Sequence, residues 1–374
     1  MKLNILFISK FFYPKYLGGA ELSLFTLAKH LSNSHKVFIL TQGEHGEFTL
    51  YNMHYIEAPF FMDTKKSYIK TLFNIMNWLN VIKKIIRRFR PDFVITQGAL
   101  VPFTLTVCRK LGIPVVVFLR SYIHFCPKEL PYDRICNKRC IKCYSSFKEI
   151  LKYPFERLKK IWHAHSLLKA DILIANSKFM QKICKDFYGC TPKVVYPFIH
   201  LSDYIFEKTN GDKITIINPT RAKGGEIFLR IAQRLKTKKF LAVGRTDLPH
   251  IKKETNIEYI PPTNNIKEIY TQTKLLLVPS LWYEPFGRVC IETMANDIPC
   301  IASKRGGLVE SVGKGGLLVE NPYDIEEWIS KIHYVENHYH EFQQKAKLHA
   351  IKFDFANTFK KFRSIIERSI GYKL

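Results

Sequence analysis

Short apolar runs alternate with longer amphipathic stretches through the first half of the chain. Most runs are continuous in Val, Ile, Leu and Phe and are bounded by polar residues, Gly or Pro, which is typical of strands buried on both faces of a parallel sheet. Amphipathic stretches at Ala20–Ser32 and Lys65–Arg90 predict helices between the runs. This alternation predicts a doubly wound α/β domain. Its predicted strands are Leu3–Ser9, Lys36–Thr41, Asp92–Thr96, Pro114–Leu119, Asp171–Ala175 and Lys193–Tyr196.

A second α/β series begins after Pro197. We therefore predict two Rossmann-like domains, 1–197 and 198–356, and a helix in 357–374 that packs back on the first domain. Open α/β sheets bind ligands at the carboxyl ends of their strands, so two such domains facing each other would bind them in one central cleft. The predicted strands of the second domain are Lys213–Asn218, Lys239–Val243, Lys274–Val278, Ile298–Ala302 and Gly316–Val319. Its predicted helices are Gly225–Leu235, Arg288–Ala295 and Tyr323–Tyr334.

The strongest chemical signal lies between a predicted strand and the next helix of the second domain. Glu284 lies in the loop, and Glu292 lies in the second turn of the helix that opens around Gly287. Gly287 lets a ligand approach the backbone closely, and the free amides of Arg288 and Val289 at the helix start favour a phosphate. The two carboxylates can accept hydrogen bonds from hydroxyls. Taken alone, however, two glutamates at this spacing are more often ordinary solvated helix-end residues.

The segment from Leu275 to Glu310 resembles the donor-binding signature of the family-four retaining glycosyltransferases, which have the GT-B fold. The chain departs from the family pattern at Asn296-Asp297, where relatives often have Gly. The resemblance implies that Glu284 and the backbone of 286–289 hold the donor sugar and distal phosphate, and that Glu292 holds the ribose. The residues in register with the signature are Glu284, Phe286, Gly287, Glu292, Met294, Ala295, Pro299, Gly306, Gly307 and Glu310.

Two further segments resemble the same family. Gly18 and Gly19 follow the first strand and open a helix, where adjacent glycines can bring backbone amides against a phosphate, although such a pair is most often a plain turn. Asn218, Arg221 and Lys223 follow the first strand of the second domain, where relatives carry an Arg and a Lys-Gly. The resemblance implies that these cations bind the donor diphosphate and neutralise the charge of the leaving group. Lys223 is the stronger candidate, because Arg221 is displaced from the commonest position.

The loop after the predicted strand Pro114–Leu119 departs from the family. Many relatives place His-Asp there, whereas this chain has Arg120-Ser121 and a histidine only at His124. We align Arg120 with the usual histidine and count it, with Glu284 and Lys223, among the catalytic candidates. His124 could substitute only if the loop shifts, and we otherwise interpret it as a structural or solvent-facing residue.

A cysteine cluster lies in the same loop, at Cys126, Cys136, Cys140 and Cys143. A Cys-x2-Cys pair with two more thiols nearby can complete a tetrahedral zinc site, but the spacing is irregular and no second Cys-x2-Cys occurs. We predict no metal or other cofactor and keep structural zinc as an open alternative. The sequence also contains no Asp-x-Asp, the pair with which other transferases hold a divalent ion on the diphosphate, so we expect metal-independent chemistry.

Charge and cysteine content bear on location. The net charge is +26, and residues 1–195 hold 31 basic and 12 acidic residues. Lys83–Arg90 and Lys148–Lys160 interleave cations with apolar residues, a pattern of helices that lie on anionic lipid, although for each helix alone a solvated face is at least as good an explanation. Nine cysteines are an odd number for a disulfide framework, and Leu3–Ser9 is too short for a signal peptide. We predict a cytoplasmic protein bound peripherally to the inner face of the cell membrane.

The resemblance implies a retaining hexosyltransferase that moves a sugar from a nucleotide-sugar, here predicted to be a UDP-sugar, to a hydroxyl of a lipid-linked or growing cell-surface glycan such as lipopolysaccharide or capsule. Three alternatives stay open. One is a catalytically inactive relative that acts as a membrane-bound assembly partner, motivated by Arg120. Another is a nucleic-acid-binding protein, suggested by the charge but supported by no motif, and we predict no nucleic-acid partner. The third is a nucleotide-sugar epimerase.

Overall fold

The computed structural model describes residues 2–16, 18–44, 46–59, 68–125, 147–206 and 211–374. Over these residues, the first sheet has strand order β3-β4-β2-β1-β5-β6-β7-β8, and neighbouring strands are parallel except β3 with β4. These strands are β1 (Asn4–Ser9), β2 (Lys36–Gln42), β3 (Gly46–Leu50), β4 (Met53–Ala58), β5 (Phe93–Gln97), β6 (Val115–Leu119), β7 (Ile172–Ala175) and β8 (Lys193–Val194). The accompanying helices are α1 (Gly19–Leu31), α2 (Tyr68–Phe89), α3 (Val101–Lys110), α4 (Phe147–Leu167) and α5 (Lys178–Tyr188).

The two faces of the first sheet are both buried. Along β1, Ile5 and Phe7 belong to one hydrophobic cluster, whereas Leu6 and Ile8 belong to another that includes Trp78 of α2. Successive side chains of a strand point to opposite faces, so each cluster takes alternate residues. This double burial explains why β1 is a continuous apolar run rather than an alternating one.

The second sheet, in the described residues, is entirely parallel with strand order β11-β10-β9-β12-β13-β14. Each sheet therefore has a central strand, β1 or β9, at which the direction of winding reverses, as in Rossmann-like domains. The strands are β9 (Lys213–Ile217), β10 (Phe240–Val243), β11 (Ile257–Ile260), β12 (Thr273–Val278), β13 (Cys300–Ser303) and β14 (Gly316–Val319). The helices are α6 (Gly225–Arg234), α7 (Ile266–Thr271), α8 (Arg288–Met294), α9 (Leu308–Val312), α10 (Ile325–Asn337) and α11 (Tyr339–Ala350).

The chain crosses between the two sheets twice. Phe198 packs in a hydrophobic cluster of the first sheet, and the next residue, Ile199, packs in a cluster of the second. The last helix, α12 (Phe355–Ile370), returns to the first sheet, where Phe362 and Ile366 are fully buried. The carboxyl-terminal helix is thus part of the hydrophobic core of the first domain.

Some elements were not predicted from hydrophobic periodicity. The β3–β4 hairpin turns at Tyr51 and Asn52, whose φ angles are 51° and 59°, so the glycine that usually marks such a turn is missing. β3 is also largely exposed and contains no apolar run. Helix α3 was not predicted because nearly all its side chains are buried, so no polar face reveals the helical period.

We expect Phe362→Ala to lower the free energy of unfolding by about 3–5 kcal/mol, because it leaves a cavity between α12 and the first sheet. The exposed neighbour Lys361 provides a control, and Lys361→Ala should change stability by less than about 0.5 kcal/mol. Urea unfolding of the full chain measures both. Similar small losses in the two variants would show that α12 does not contribute to the core.

Candidate active site

The strand order of the second sheet brings two predicted loops together. β9 and β12 are paired neighbours, so the loop after each one begins at the same edge of the sheet. The loops also touch, because the amides of Leu281 and Trp282 donate to the carbonyl of Ala222 at 3.0 and 3.1 Å. The first loop carries Lys223 and the second carries Glu284.

Lys223 and Glu284 form an ion pair between their Nζ and Oε1 atoms. The Glu284 residue is only 7% exposed, and the hydroxyl of Ser280 lies 3.4 Å from the same carboxylate oxygen. The Lys223 ammonium also lies over the ring of Trp282, 4.7 Å from its centroid. The ion pair and the ring contact hold the ammonium in place. Because the lysine side chain is still partly exposed, the charge remains accessible to a ligand from the cleft.

Glycines make these close approaches feasible. Gly224 has φ +78°, and a Cβ there would overlap the carbonyl oxygen of Pro279 at the end of β12. Gly287 has φ +96°, and a Cβ there would meet the side chain of Leu308. At these two positions the backbone conformation and the lack of space both require glycine.

Glu292 lies one turn further along α8 in a buried polar cluster. Its Oε1 accepts from Arg288 Nε at 2.5 Å, and its Oε2 accepts from the Tyr270 hydroxyl at 3.0 Å. Arg288 also donates to the Tyr204 hydroxyl at 2.5 Å. Burial, reinforced by the Glu292 charge, raises the pKa of Tyr270 well above its usual value, so this phenol stays protonated and can donate. The Glu292 carboxylate is therefore held in one orientation, with lone pairs left for further donors.

Arg120 approaches from the first domain. It follows β6, is buried, and donates from Nη1 to the carbonyl of Ala20 at 2.8 Å and to Gln97 at 3.4 Å. Burial lowers the pKa of Arg120 to about 9, the Arg288 charge acts in the same direction, and the Glu21 carboxylate opposes both. Arg120 thus fixes the start of α1, and its charge is coupled to that of Arg288 in the second domain.

The two predicted glycines lie at the start of α1. Gly18 is the N-cap residue, and its cap is not made by a side-chain hydrogen bond. A Cβ on Gly19 would lie 3.7 Å from Cδ of Arg288, so the start of α1 faces the second domain closely. Burial raises the pKa of the Glu21 carboxyl in the same turn. Glu21 was not among the sequence-predicted residues, although it directly follows the Gly-Gly-Ala segment.

The remaining predicted residues make contacts that shape the loops or belong to the hydrophobic core. The Asn218 side chain accepts from the Arg245 amide at 2.9 Å and shapes the loop after β9. Arg221 is exposed and pairs with Glu226 at 3.1 Å. The Phe286 side chain is buried in the core, which leaves only its backbone for a ligand. The predicted Val289 is the second residue of α8, beside Arg288.

His124 lies in the core. It is buried with its Nδ1 3.0 Å from Nδ1 of His163, and its backbone carbonyl accepts from the Tyr188 hydroxyl. Burial, followed by the neighbouring His163 ring, holds the pKa of His124 well below its usual value. A neutral histidine packed between helices matches the structural interpretation. The predicted cysteine cluster, Cys126, Cys136, Cys140 and Cys143, lies outside the described residues.

Side chains of the first domain hold the loop that carries Glu284. The Tyr122 hydroxyl donates to the carbonyl of Tyr283 at 2.5 Å, and the Ser177 hydroxyl donates to the carbonyl of Pro285 at 2.6 Å. Sequence reasoning missed both residues, because a lone Tyr or Ser has no local pattern that reveals a partner more than 100 residues away.

Glu310 makes a second contact between the domains. Its carboxylate accepts from the backbone amides of Lys178 and Phe179 at 2.9 and 2.8 Å, and from the Tyr196 hydroxyl at 3.1 Å. These amides belong to the first turn of α5, where no helical carbonyl is available to them. The last glutamate of the signature therefore caps a helix of the other domain.

Comparison with known proteins identifies the family. Residues 17–203 match the family model described as Glycosyltransferase Family 4, and residues 214–337 match the model described as Glycosyl transferases group 1. The chain belongs to these glycosyltransferases. The predicted family is thereby confirmed, and the gap between the two matches falls between the two sheets.

Individual proteins are similar to this glycosyltransferase over most of its length. An uncharacterised 42.6-kDa protein of the cps region of Klebsiella pneumoniae is 26% identical over 345 residues, which cover 82% of this chain and 87% of that protein. A glycosyltransferase from Rickettsia africae superposes with a TM-score of 0.72 at 17% identity over 99% of each chain. Anabaena HepE in complex with UDP superposes with a TM-score of 0.69 at 16% identity over 98% of this chain and 100% of that one. These superpositions confirm the predicted GT-B fold.

In this glycosyltransferase, Gly224→Ala should destabilise far more than Gly189→Ala. Both glycines have a left-handed φ, but a Cβ at Gly189 would meet open space. We expect about 1 kcal/mol from the φ strain alone, and about 2 kcal/mol more at Gly224 from the overlap with Pro279. Urea unfolding compares the two, and equal losses would contradict the close approach of the two loops.

Glu310→Ala should remove the cap of α5 and loosen the contact between the domains, at a cost of about 1 kcal/mol for the cap. Asp324→Ala is the matched control, because Asp324 caps α10 within a single domain. Hydrogen exchange of the Lys178 and Phe179 amides should accelerate in the first variant only. Equal protection of these amides in both variants would contradict the capping role of Glu310.

Proposed function

We propose that this glycosyltransferase moves a sugar from a UDP-sugar to a hydroxyl of a lipid-linked or growing cell-surface glycan with retention of the anomeric configuration. The observation that carries the proposal is the Lys223–Glu284 ion pair at the switch point of the second sheet, beside the start of α8. Two comparisons support the finer assignment. HepE, which shares the fold, binds UDP, and the Klebsiella relative belongs to a cps region.

The donor diphosphate would lie against Lys223. Its ammonium is within reach of the cleft and can neutralise the charge that grows on the leaving UDP as the bond to the sugar breaks. The amides of Arg288 and Val289 in the first turn of α8 would add backbone donors. Glu284 would keep Lys223 in position and accept hydrogen bonds from hydroxyls of the transferred sugar.

The ribose would be held by Glu292. Arg288 and Tyr270 each bond a different oxygen of its carboxylate, so the group is oriented before the donor arrives. Two hydroxyls on neighbouring ribose carbons could then donate to its remaining lone pairs. Arg120 would act from the first domain, where it fixes the start of α1 and adds positive charge near Arg288.

Retention without a covalent glycosyl-enzyme intermediate requires that the acceptor oxygen attack the face from which UDP departs. We propose that a phosphate oxygen of the leaving group takes the acceptor proton as the new bond forms, so no side chain is assigned as a covalent nucleophile. Lys223 and the helix amides would supply the positive charge at the diphosphate, which is why we propose metal-independent transfer. Structural zinc at the cysteine cluster stays an alternative that does not enter this chemistry.

Cytoplasmic location and peripheral attachment to the membrane complete the proposal. Through the described part of the chain, no helix combines the length and the apolar character that crossing a bilayer requires. The excess of basic residues in 1–195 supports attraction to anionic lipid. A lipid-linked acceptor would be presented at the same surface.

Lys223→Ala and Glu292→Ala should each weaken UDP binding about tenfold or more in calorimetry, an effect of about 1.4 kcal/mol. Tyr270→Phe keeps the Glu292 carboxylate and removes one orienting bond, so its loss should be smaller. Lys239→Ala is the matched control, because this exposed lysine precedes β10 at the opposite end of the sheet. Unchanged affinity of the first two variants for every nucleoside diphosphate would contradict the site assignment.

Transfer itself is tested with purified protein, UDP-sugars and a lipid-linked glycan acceptor. Proton NMR of the product should show the anomeric configuration of the donor, and the rate should persist in EDTA. An inverted product would overturn the retaining mechanism. If the protein binds UDP tightly but catalyses neither transfer nor donor hydrolysis, the inactive assembly partner becomes the better explanation.

A further inference from the structure

Helix α4 has an apolar stripe that faces outward. We define the α4 stripe as Phe147, Leu151, Pro154, Leu158 and Ile161, whose positions are separated by four, three, four and three residues and so lie on one face of a helix. All five are exposed, with values of 76% for Phe147 and 65% for each leucine. An exposed apolar stripe of this length is rare on a soluble surface and marks an interaction site.

The stripe is not needed for the core. On the opposite face of α4, His163 and Leu167 are buried, and Trp162, at the carboxyl-terminal edge of the stripe, packs against the hydrophobic cluster of the first sheet and contacts Phe103. Helix α2 provides the contrast, because the apolar residues of its basic carboxyl-terminal half, including Ile82, are buried in the same cluster. The outward stripe of α4 is therefore left without a partner among the described residues.

Topology places the stripe beside the cleft. Helices α2 and α4 each precede a parallel strand of the first sheet, so both begin at the edge where the strands end and the cleft lies. Both also pack against α3, which puts them on the same face of the sheet. Phe73 and Met76, in the first turns of α2, are 74% and 64% exposed and extend the apolar surface.

The charge of helices α4 and α2 indicates which kind of partner could cover the stripe. The sequence from 147 to 170 contains six basic and two acidic residues, and Lys83, Lys84 and Arg87 on α2 are exposed. A second copy of the chain would place these basic helices against each other, which costs Coulomb energy. An anionic bilayer provides both an apolar interior for the stripe and negative charge for its flanks.

We propose that the α4 stripe inserts among the headgroups of an anionic bilayer and holds the cleft edge of the first domain at the membrane surface. Its significance rests on the proposed function, because a lipid-linked acceptor would then meet the cleft without leaving the bilayer. An amphipathic helix buries its apolar face to a depth of roughly 5–10 Å, which matches anchoring without a membrane span.

Flotation of the full chain with vesicles tests the proposal. Binding should be strong to phosphatidylcholine vesicles containing roughly one third phosphatidylglycerol and weak to phosphatidylcholine alone. The double variant Leu151→Gln, Leu158→Gln keeps the net charge and should lose about tenfold or more in affinity for the anionic vesicles. The matched control is Leu348→Gln, because Leu348 is an equally exposed leucine, at 66%, on α11 of the second domain. It should bind like the unaltered chain.

Calorimetry with UDP separates this proposal from the proposed function. The double variant should bind UDP as tightly as the unaltered chain, because the stripe lies outside the donor site. If UDP binding is absent but anionic vesicles still bind through the stripe, only the proposed function fails. The stripe assignment is overturned if the double variant floats as well as the control. It is also overturned if light scattering shows a dimer that becomes monomeric in the double variant, since the stripe would then join two copies.

Discussion

The cleft depends on the hydrogen bonds that fix the loop between β12 and α8. Tyr122 and Ser177 of the first domain donate to the backbone carbonyls on either side of Glu284. Within the second domain, the Gly307 amide donates to the carbonyl of Glu284 itself at 2.7 Å. With its backbone held from both domains, the Glu284 carboxylate stays buried against Lys223 before any ligand is bound. The same hydrogen bonds therefore determine both the relative position of the two domains and the geometry of the candidate site.

The charged groups of the cleft are better explained by binding than by stability. Desolvation offsets most of the attraction within a buried ion pair, so pairs such as Arg288 with Glu292 are weak stabilisers of a fold. Arg288 and Glu292 both lie on α8, and the second pair joins Glu284 in the loop before α8 to Lys223 in the loop after β9, beside the switch point of the sheet. Arg120, whose pKa burial lowers to about 9, adds a further charge at the facing domain. Burying these charged groups in the cleft lowers the stability of the fold, and the binding of a ligand with several negative charges can offset that loss.

Two segments with the same sequence pattern have different roles in the structure. Lys83–Arg90 and Lys148–Lys160 both interleave cations with apolar residues. In α2 those apolar residues belong to the core, whereas the stripe of α4 faces outward. Periodicity reports that a helix has an apolar face, but the tertiary packing decides whether that face is covered.

The sequence by itself determined the two α/β domains, because continuous apolar strands and amphipathic helices are local patterns. Through the family resemblance it also assigned Lys223 and Glu284 to one donor site, but their ion pair depends on the pairing of β9 with β12, which only the structure shows. Only the tertiary structure decided that Glu310 caps α5, that Tyr270 and Tyr204 bond to Glu292 and Arg288, and that the α4 stripe is uncovered. Each of these depends on a contact with residues distant in the chain, or on the lack of one among the described residues. Local sequence patterns contain no record of such contacts.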